Sequence, residues 1–209
     1  MARAALLPAD IATTRERLAT AATKLFARHG YDAVTMRAVA AELGVSAMTP
    51  YRYLGGKDEL VALVRAQAFT RFAEALEAAT APARDPIARL QRLKAAYVGF
   101  AQAEPDAYRI MFELRAPGDE HRWPELTAAT RRAFGCLLAA VTAAIDAGAL
   151  TGEPLAVARL LWASTHGLCA LYLSGNLPAR SLARLAAVDH ELAGFRPVAP
   201  APARTRRRA

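Results

Sequence analysis

The chain has little of what enzymes and secreted scaffolds are built on. Its 209 residues include two cysteines and four histidines. Cys136 and Cys169 each sit in apolar helical sequence with no Cys-x-x-Cys pair. Zinc spacing and a disulfide framework are thereby excluded, and both thiols read as small buried hydrophobes suited to a reducing compartment. His29, His121, His166 and His190 are scattered without a nucleophile or metal partner. No Gly-x-Ser-x-Gly, Walker or His-Glu-x-x-His sequence occurs, so the chain reads as a non-enzyme needing no cofactor and no metal.

Strand signals are missing too. No alternating Val/Ile/Thr segments meet at Asn-Gly or Asp-Gly turns, whereas Ala and Leu dominate, which favours an all-α fold. Long apolar runs are absent: 136–145 and 160–173 are interrupted by Thr142, Ser164, Thr165, His166 and Gly167. Neither reaches the roughly 20 clean residues of a membrane span. The apolar stretch within Met1 to Asp10 is too short for a signal peptide. No membrane association is expected, and the cytoplasm is the expected location.

What the chain does have is positive charge, formally +8, placed unevenly. After position 195 come Arg196, Arg204, Arg206, Arg207 and Arg208 and no acid. With Pro197, Pro200 and Pro202 they make residues 196–209 a tail too polar and proline-rich to fold. Because most of the excess lies there, the basic balance by itself says little about nucleic acid.

The most informative stretch is residues 35–60. Thr35 can cap a helix that places Met36, Val39 and Leu43 on one face, and Gly44 follows where a left-handed C-cap residue is expected. Ser46 can cap the next helix. Pro50 then allows two readings: it deletes the first bond of a helix capped by Ser46, or it opens a helix capped by Thr49. Either way that helix is short. Gly55-Gly56 is a turn, and Lys57-Asp58-Glu59 opens a long helix with acids at its positive end. This is the grammar of a helix-turn-helix, whose second helix enters the DNA major groove.

Gly44-Val45-Ser46, Thr49, Tyr51 and Lys57-Asp58-Glu59-Leu60 together resemble the DNA-binding domain of the tetracycline-repressor (TetR) family of bacterial transcription regulators. A shorter resemblance, Tyr108-Arg109-Ile110-Met111-Phe112 followed by Trp162 and His166-Gly167, is to the WHG-type C-terminal domain of that family. The resemblance implies a three-helix DNA-binding head and a helical ligand-binding and dimerisation bundle. It divides the chain into an arm at 1–12, a head at 13–60, a body at 61–195 and the tail.

Around that segment the sequence reads as helices. Thr13 and Glu16 form a capping box for a helix that buries Leu18, Ala22, Leu25 and Phe26 and ends at Gly30. The long helix from Lys57 runs to about Ala79. In the body, helices open at Asp85-Pro86, at Glu104-Pro105, near Trp123 and at Glu153-Pro154. A last helix spans about Pro178 to Leu192, and 115–122 is a loop. Gly167 inside a helix costs about 1 kcal/mol relative to Ala, so a close helix approach is expected there.

For DNA, the short helix offers Ala47, Met48, Thr49, Tyr51 and Arg52; Arg52 can donate to a guanine or to a phosphate. Thr35, Ser46, Tyr51, Tyr53 and Lys57 match family positions that touch phosphates, with Arg37 a weaker candidate. For Tyr51 and Tyr53 the alternative is packing inside the head. For an effector, the candidates are Phe69, Phe72, Tyr97, Phe100, Tyr108, Met111, Phe112, Trp123, Trp162, His166 and Cys169. Most such residues are ordinary core, and His166 is either a polar anchor or a core histidine. Leu160, Leu161, Ala163, Leu168, Leu171, Leu182, Leu185 and Val188 resemble the family's dimerisation face; the alternative is that they close the monomer core.

The expectation is a homodimeric, ligand-responsive regulator that binds a palindromic double-stranded operator and acts as a repressor released by a small, largely apolar molecule. An activating or effector-independent regulator is the alternative, and an all-helical carrier or enzyme a remote one.

Overall fold

The computed structural model describes residues 8–81, 83–114, 122–182, 184 and 185. Among them every regular element is helical. In chain order these are α1 (Pro8–Ala33), α2 (Met36–Glu42), a 3-10 helix (Pro50–Arg52), α3 (Lys57–Thr80), α4 (Pro86–Ala103), α5 (Pro105–Phe112), α6 (Pro124–Asp146) and α7 (Pro154–Leu173). Helical backbone resumes at 179. The tail, the loop at 115–121 and most of the expected last helix, with Val188, lie outside the described residues.

Proline and side-chain caps set most helix starts, as the sequence implies. The Thr35 hydroxyl accepts from the Ala38 N–H at 3.1 Å, and Asp85 Oδ2 accepts from the Ala88 N–H at 2.7 Å. The Glu153 carboxylate accepts from the N–H groups of both Leu155 and Ala156, at 2.9 and 2.6 Å. One start differs. α1 begins at Pro8, so Thr13 and Glu16 lie within the helix and do not cap it, and residues 8–12 of the expected arm are helical. The expected end holds, because Gly30 breaks the helical path with φ 73° and ψ 179°.

The residues divide into two compact units. The first takes in Met1–Glu74 and Phe100–Ala133. Here α1 packs on α2 and on α5. Leu18, Ala22, Leu25 and Phe26 are all buried, as their spacing implies, together with Val34, Met36, Val39, Leu54 and Leu60. α3 is buried on nearly every side over this span, including Val61, Ala62, Val64, Ala66, Ala68, Phe69, Phe72 and Ala73. Arg65 is buried with them, and its Nε donates to the Met111 carbonyl at the end of α5, at 3.2 Å. That bond gives a buried cation a partner and a helix C-terminus a donor at once.

The second unit comprises Ala75–Gly99 and Phe134–Ala209. On α7, Val157, Ala158, Thr165 and Cys169 form the buried side. Leu160 (55% exposed), Ala163 and Leu171 (48%) face away from it. Three expectations are corrected here. Cys136 is half-buried where a fully buried residue was expected. A Cβ added at Gly167 would meet nothing within 4 Å, so no close helix approach within the chain explains that glycine. Leu182 alone of the expected dimerisation leucines on the last two helices is fully buried.

α6 is long and apolar enough to cross a membrane by length and composition. Its buried residues Leu126, Ala129, Ala133, Leu137, Ala140 and Ala144 recur every three or four positions, with Val141 beside them, while Arg131 and Arg132 are exposed. That is the stripe of an amphipathic core helix.

α2 closes with the two bonds of a Schellman motif, Gly44 N–H to Ala41 carbonyl and Val45 N–H to Ala40 carbonyl, both 3.0 Å. Gly44 has φ +66°, which a side chain disfavours by about 1 kcal/mol. Gly44→Ala is therefore expected to lower the unfolding free energy by about 1 kcal/mol, read from urea denaturation. An unchanged midpoint would show that the turn tolerates a Cβ.

Candidate nucleic-acid interface

The segment after Gly44 is built around what Pro50 takes away. With no N–H at position 50, the Ser46 carbonyl loses its usual partner four residues on and accepts instead from Thr49 N–H, at 2.8 Å. Ser46 Oγ accepts from Met48 N–H at 3.4 Å, so Ser46 does cap the turn, while Thr49 makes no side-chain cap bond. The chain then tightens into the three-residue helix Pro50–Arg52. The expected second helix is thus present as one irregular turn, buried at its two ends through Pro50 and Leu54.

This construction leaves the candidate DNA contacts outside. Thr35, Arg37, Ser46, Ala47, Met48, Tyr51 and Arg52 are exposed, and Thr49, Tyr53 and Lys57 are half-buried. Tyr51 is 54% exposed, so the core alternative fails for it. Tyr53 is the more enclosed tyrosine, with the Arg52 guanidinium 5.9 Å from its ring centroid. Lys57 is committed within the protein: its Nζ donates to the Tyr31 carbonyl at 2.5 Å and lies 4.0 Å from the centre of the Tyr31 ring. It fastens α3 to the residues beyond the Gly30 break.

Arg15 and Glu59, neither of them among the candidate DNA contacts, hold this surface in place. Arg15 Nη1 donates to the Tyr53 carbonyl at 2.9 Å and to Glu59 Oε1 at 2.6 Å. The other Glu59 oxygen accepts from the Gly55 N–H at 2.6 Å. Arg15 Nη2 also stands 3.6 Å from Glu125 in the first turn of α6. One guanidinium thereby ties the end of the exposed turn, the start of α3 and the start of α6. The available signal was Glu59, the third residue of a helix after a Gly-Gly turn, where a carboxylate reaches back to free amides. Its partner Arg15 carries no local signature.

Burial pushes the Glu59 carboxyl up, but the Gly55 N–H and the Arg15 charge outweigh it and hold its pKa below the ordinary value. At Tyr31 burial comes first and the Asp58 carboxylate, 3.4 Å from its hydroxyl, adds to it; both raise the phenol's pKa.

The effector candidates fall into two groups, each within one unit. In the first unit the Phe112 ring lies 5.6 Å from Phe69 and 4.8 Å from Tyr108, and Phe72 lies 5.1 Å from Phe100. Met111 is buried beside them in sequence, and Trp123 is half-buried with the Arg122 guanidinium 5.2 Å from its ring. In the second unit Trp162 Nε1 donates to the Tyr97 hydroxyl at 3.1 Å and its ring meets Phe134 at 5.2 Å. His166 is half-buried one turn further along α7, and Cys169 is buried.

Comparison with known proteins agrees with this architecture. Residues 18–64 match the tetR family of bacterial regulatory proteins, and residues 90–195 match the tetracyclin repressor-like C-terminal domain. An uncharacterized HTH-type transcriptional regulator of Mycobacterium tuberculosis is 29% identical over 164 residues, 78% of this chain and 71% of the relative. The HTH-type transcriptional repressor KstR of Rhodococcus jostii is 33% identical over 91 residues, 44% of this chain and 42% of the relative. Among solved structures, a protein of unknown function from Rhodococcus sp. RHA1 superposes with TM-score 0.74 at 24% identity, covering 87% of this chain and 94% of that one. The fatty acid degradation regulator FadR of Bacillus halodurans gives 0.70 at 16% identity, covering 85% and 96%.

Glu59 is ionised at neutral pH with its pKa lowered in the fold, so its contribution to stability is present at neutral pH and fades as pH falls through the carboxylate range. Glu59→Gln is expected to cost about 1 kcal/mol at pH 7. The gap from the unaltered protein should shrink below about pH 4. Urea melts of both proteins at pH 7 and pH 3.5 measure this; a gap independent of pH would remove the charge from the explanation.

Proposed function

The chain belongs to the TetR family of bacterial regulatory proteins, and is accordingly a DNA-binding transcriptional regulator; on that premise we propose that it works as a homodimeric, cytoplasmic repressor. Residues 13–60 form its DNA-binding head and 61–195 its effector-binding and dimerisation body. It binds a palindromic operator and is released by a small, largely apolar molecule. The observation that carries the DNA side is the exposure of Thr35, Arg37, Ser46, Ala47, Met48, Tyr51 and Arg52 around a turn whose two ends are anchored by Pro50 and Leu54. Ser46, Thr35 and Tyr51 suit phosphate contact, which sets register, while Arg52 can reach a base edge or a phosphate.

A dimer is supported by α7. Its exposed side carries Leu160, Ala163, Leu171 and the open Gly167, an apolar strip with a gap where a second backbone can come close. Two copies related by a two-fold would place two short reading turns on successive major-groove faces. The repressor sense is supported by the HTH-type transcriptional repressor KstR, to which part of this chain is similar.

For the effector, the support is the concentration of aromatic side chains along α3 and α5 and around Trp162. Release needs only that the ligand bind tighter to a conformation whose two heads no longer match the operator.

Two outcomes test this. Binding of the purified protein to its own upstream DNA, at stated salt and beside random DNA, should weaken at least about tenfold in Arg52→Ala and in Tyr51→Ala. Equal affinity for upstream and random fragments would count against an operator there. Leu160→Asp with Leu171→Asp should convert the dimer to monomer in sedimentation experiments and abolish tight operator binding. A dimer that survives both changes would place the interface elsewhere.

A further inference from the structure

Among the described residues, the large apolar side chains left exposed fall in two places: Leu160, Leu171 and Leu185 in the second unit, and Met48 and Tyr51 on the reading turn. Met48 is the most open of them at 67%. It stands next to exposed Ala47, one helical step from Tyr51.

The chemistry around Met48 is spare. From Ser46 to Tyr53 the turn has no Asn, Gln, Lys, Asp or Glu, which leaves Arg52 and the hydroxyls of Ser46, Thr49 and the two tyrosines as its only hydrogen-bonding side chains. Its one arginine, Arg52, lies over the Tyr53 ring. The Met48 N–H is already taken by Ser46 Oγ, which fixes the backbone beneath the side chain. Beside the Ser46 hydroxyl, what Ala47 and Met48 present at the N-terminal end of the turn is a methyl group and a thioether on a fixed backbone. The major groove offers one apolar feature for these to meet, the C5-methyl of thymine. A thioether with three rotatable bonds can follow that methyl across small differences in groove shape.

We propose that Met48, with Ala47 beside it, is a specificity-determining residue that reads thymine methyl groups in each operator half-site. This rests on the DNA-binding reading above and adds to it the base that is recognised and the atom that is touched.

The test uses the full-length protein and duplexes enriched by it from a random library. In an enriched duplex, each half-site thymine is replaced in turn by deoxyuridine, which lacks only the methyl. Wild-type protein should lose about four-fold in affinity at one or two thymines, the value of one buried methyl. Met48→Ala should be indifferent to the change at those same thymines. An unaltered melting curve for Met48→Ala, expected from its exposure, keeps folding out of the comparison. If uracil costs nothing at any position, or costs both proteins alike, methyl readout by Met48 is wrong while DNA binding stands. If no sequence is enriched, the DNA-binding reading and this one fall together.

Discussion

The exposed turn depends on one guanidinium. Three helical residues cannot hold a shape of their own, because a single turn fixes many dihedrals for few bonds. Pro50 weakens this one further by removing a donor. Its geometry is supplied from outside: Pro50 and Leu54 bury its ends, and Arg15 grips the Tyr53 carbonyl while bonded to Glu59. The group is three-quarters or more out of water, so its charge-assisted bonds are stronger than those of a surface pair. Glu59 in turn holds the Gly55 amide, so the flexible Gly-Gly link is fixed at the point where α3 begins.

α3 therefore carries two burdens in the first unit. Its first turn sets the exposed surface through Glu59 and Lys57, and its middle is packed core. Arg65 joins that core to the carbonyl end of α5, the helix that also packs on α1. Phe69 meets Phe112 of α5 in the same region. The effector candidates Phe69 and Phe72 and the residues that orient the reading turn thus share one helix and one compact unit. A displacement of α5 has a direct mechanical route to α3 through packed side chains and a buried hydrogen bond.

Much of the local structure was legible because its causes are local. Thr35, Asp85 and Glu153 cap the helices that follow them, and Gly44 and Gly30 end helices at the expected places. Hydrophobic spacing placed Leu18, Leu25 and Phe26 in the core correctly. Local reasoning failed where two physical effects competed. Thr13 and Glu16 make a cap sequence, yet α1 continues back to Pro8, so the box lies inside the helix and not at its start. A close helix approach was expected at Gly167, but within the chain the space beside it is open.

The sequence by itself determined the helical class, the order of the helices, the glycine turn at Gly44 and membership of the family. Each follows from neighbours within about five residues, where caps, glycine conformation and periodicity act. The tertiary structure alone decided that Arg15 would meet Glu59 and Tyr53, 44 and 38 positions away, and that Arg65 would find the Met111 carbonyl. It also decided that Met48 and Tyr51 stand in solvent while Leu182 does not. No local pattern encodes those outcomes, because which faces meet depends on how whole helices pack.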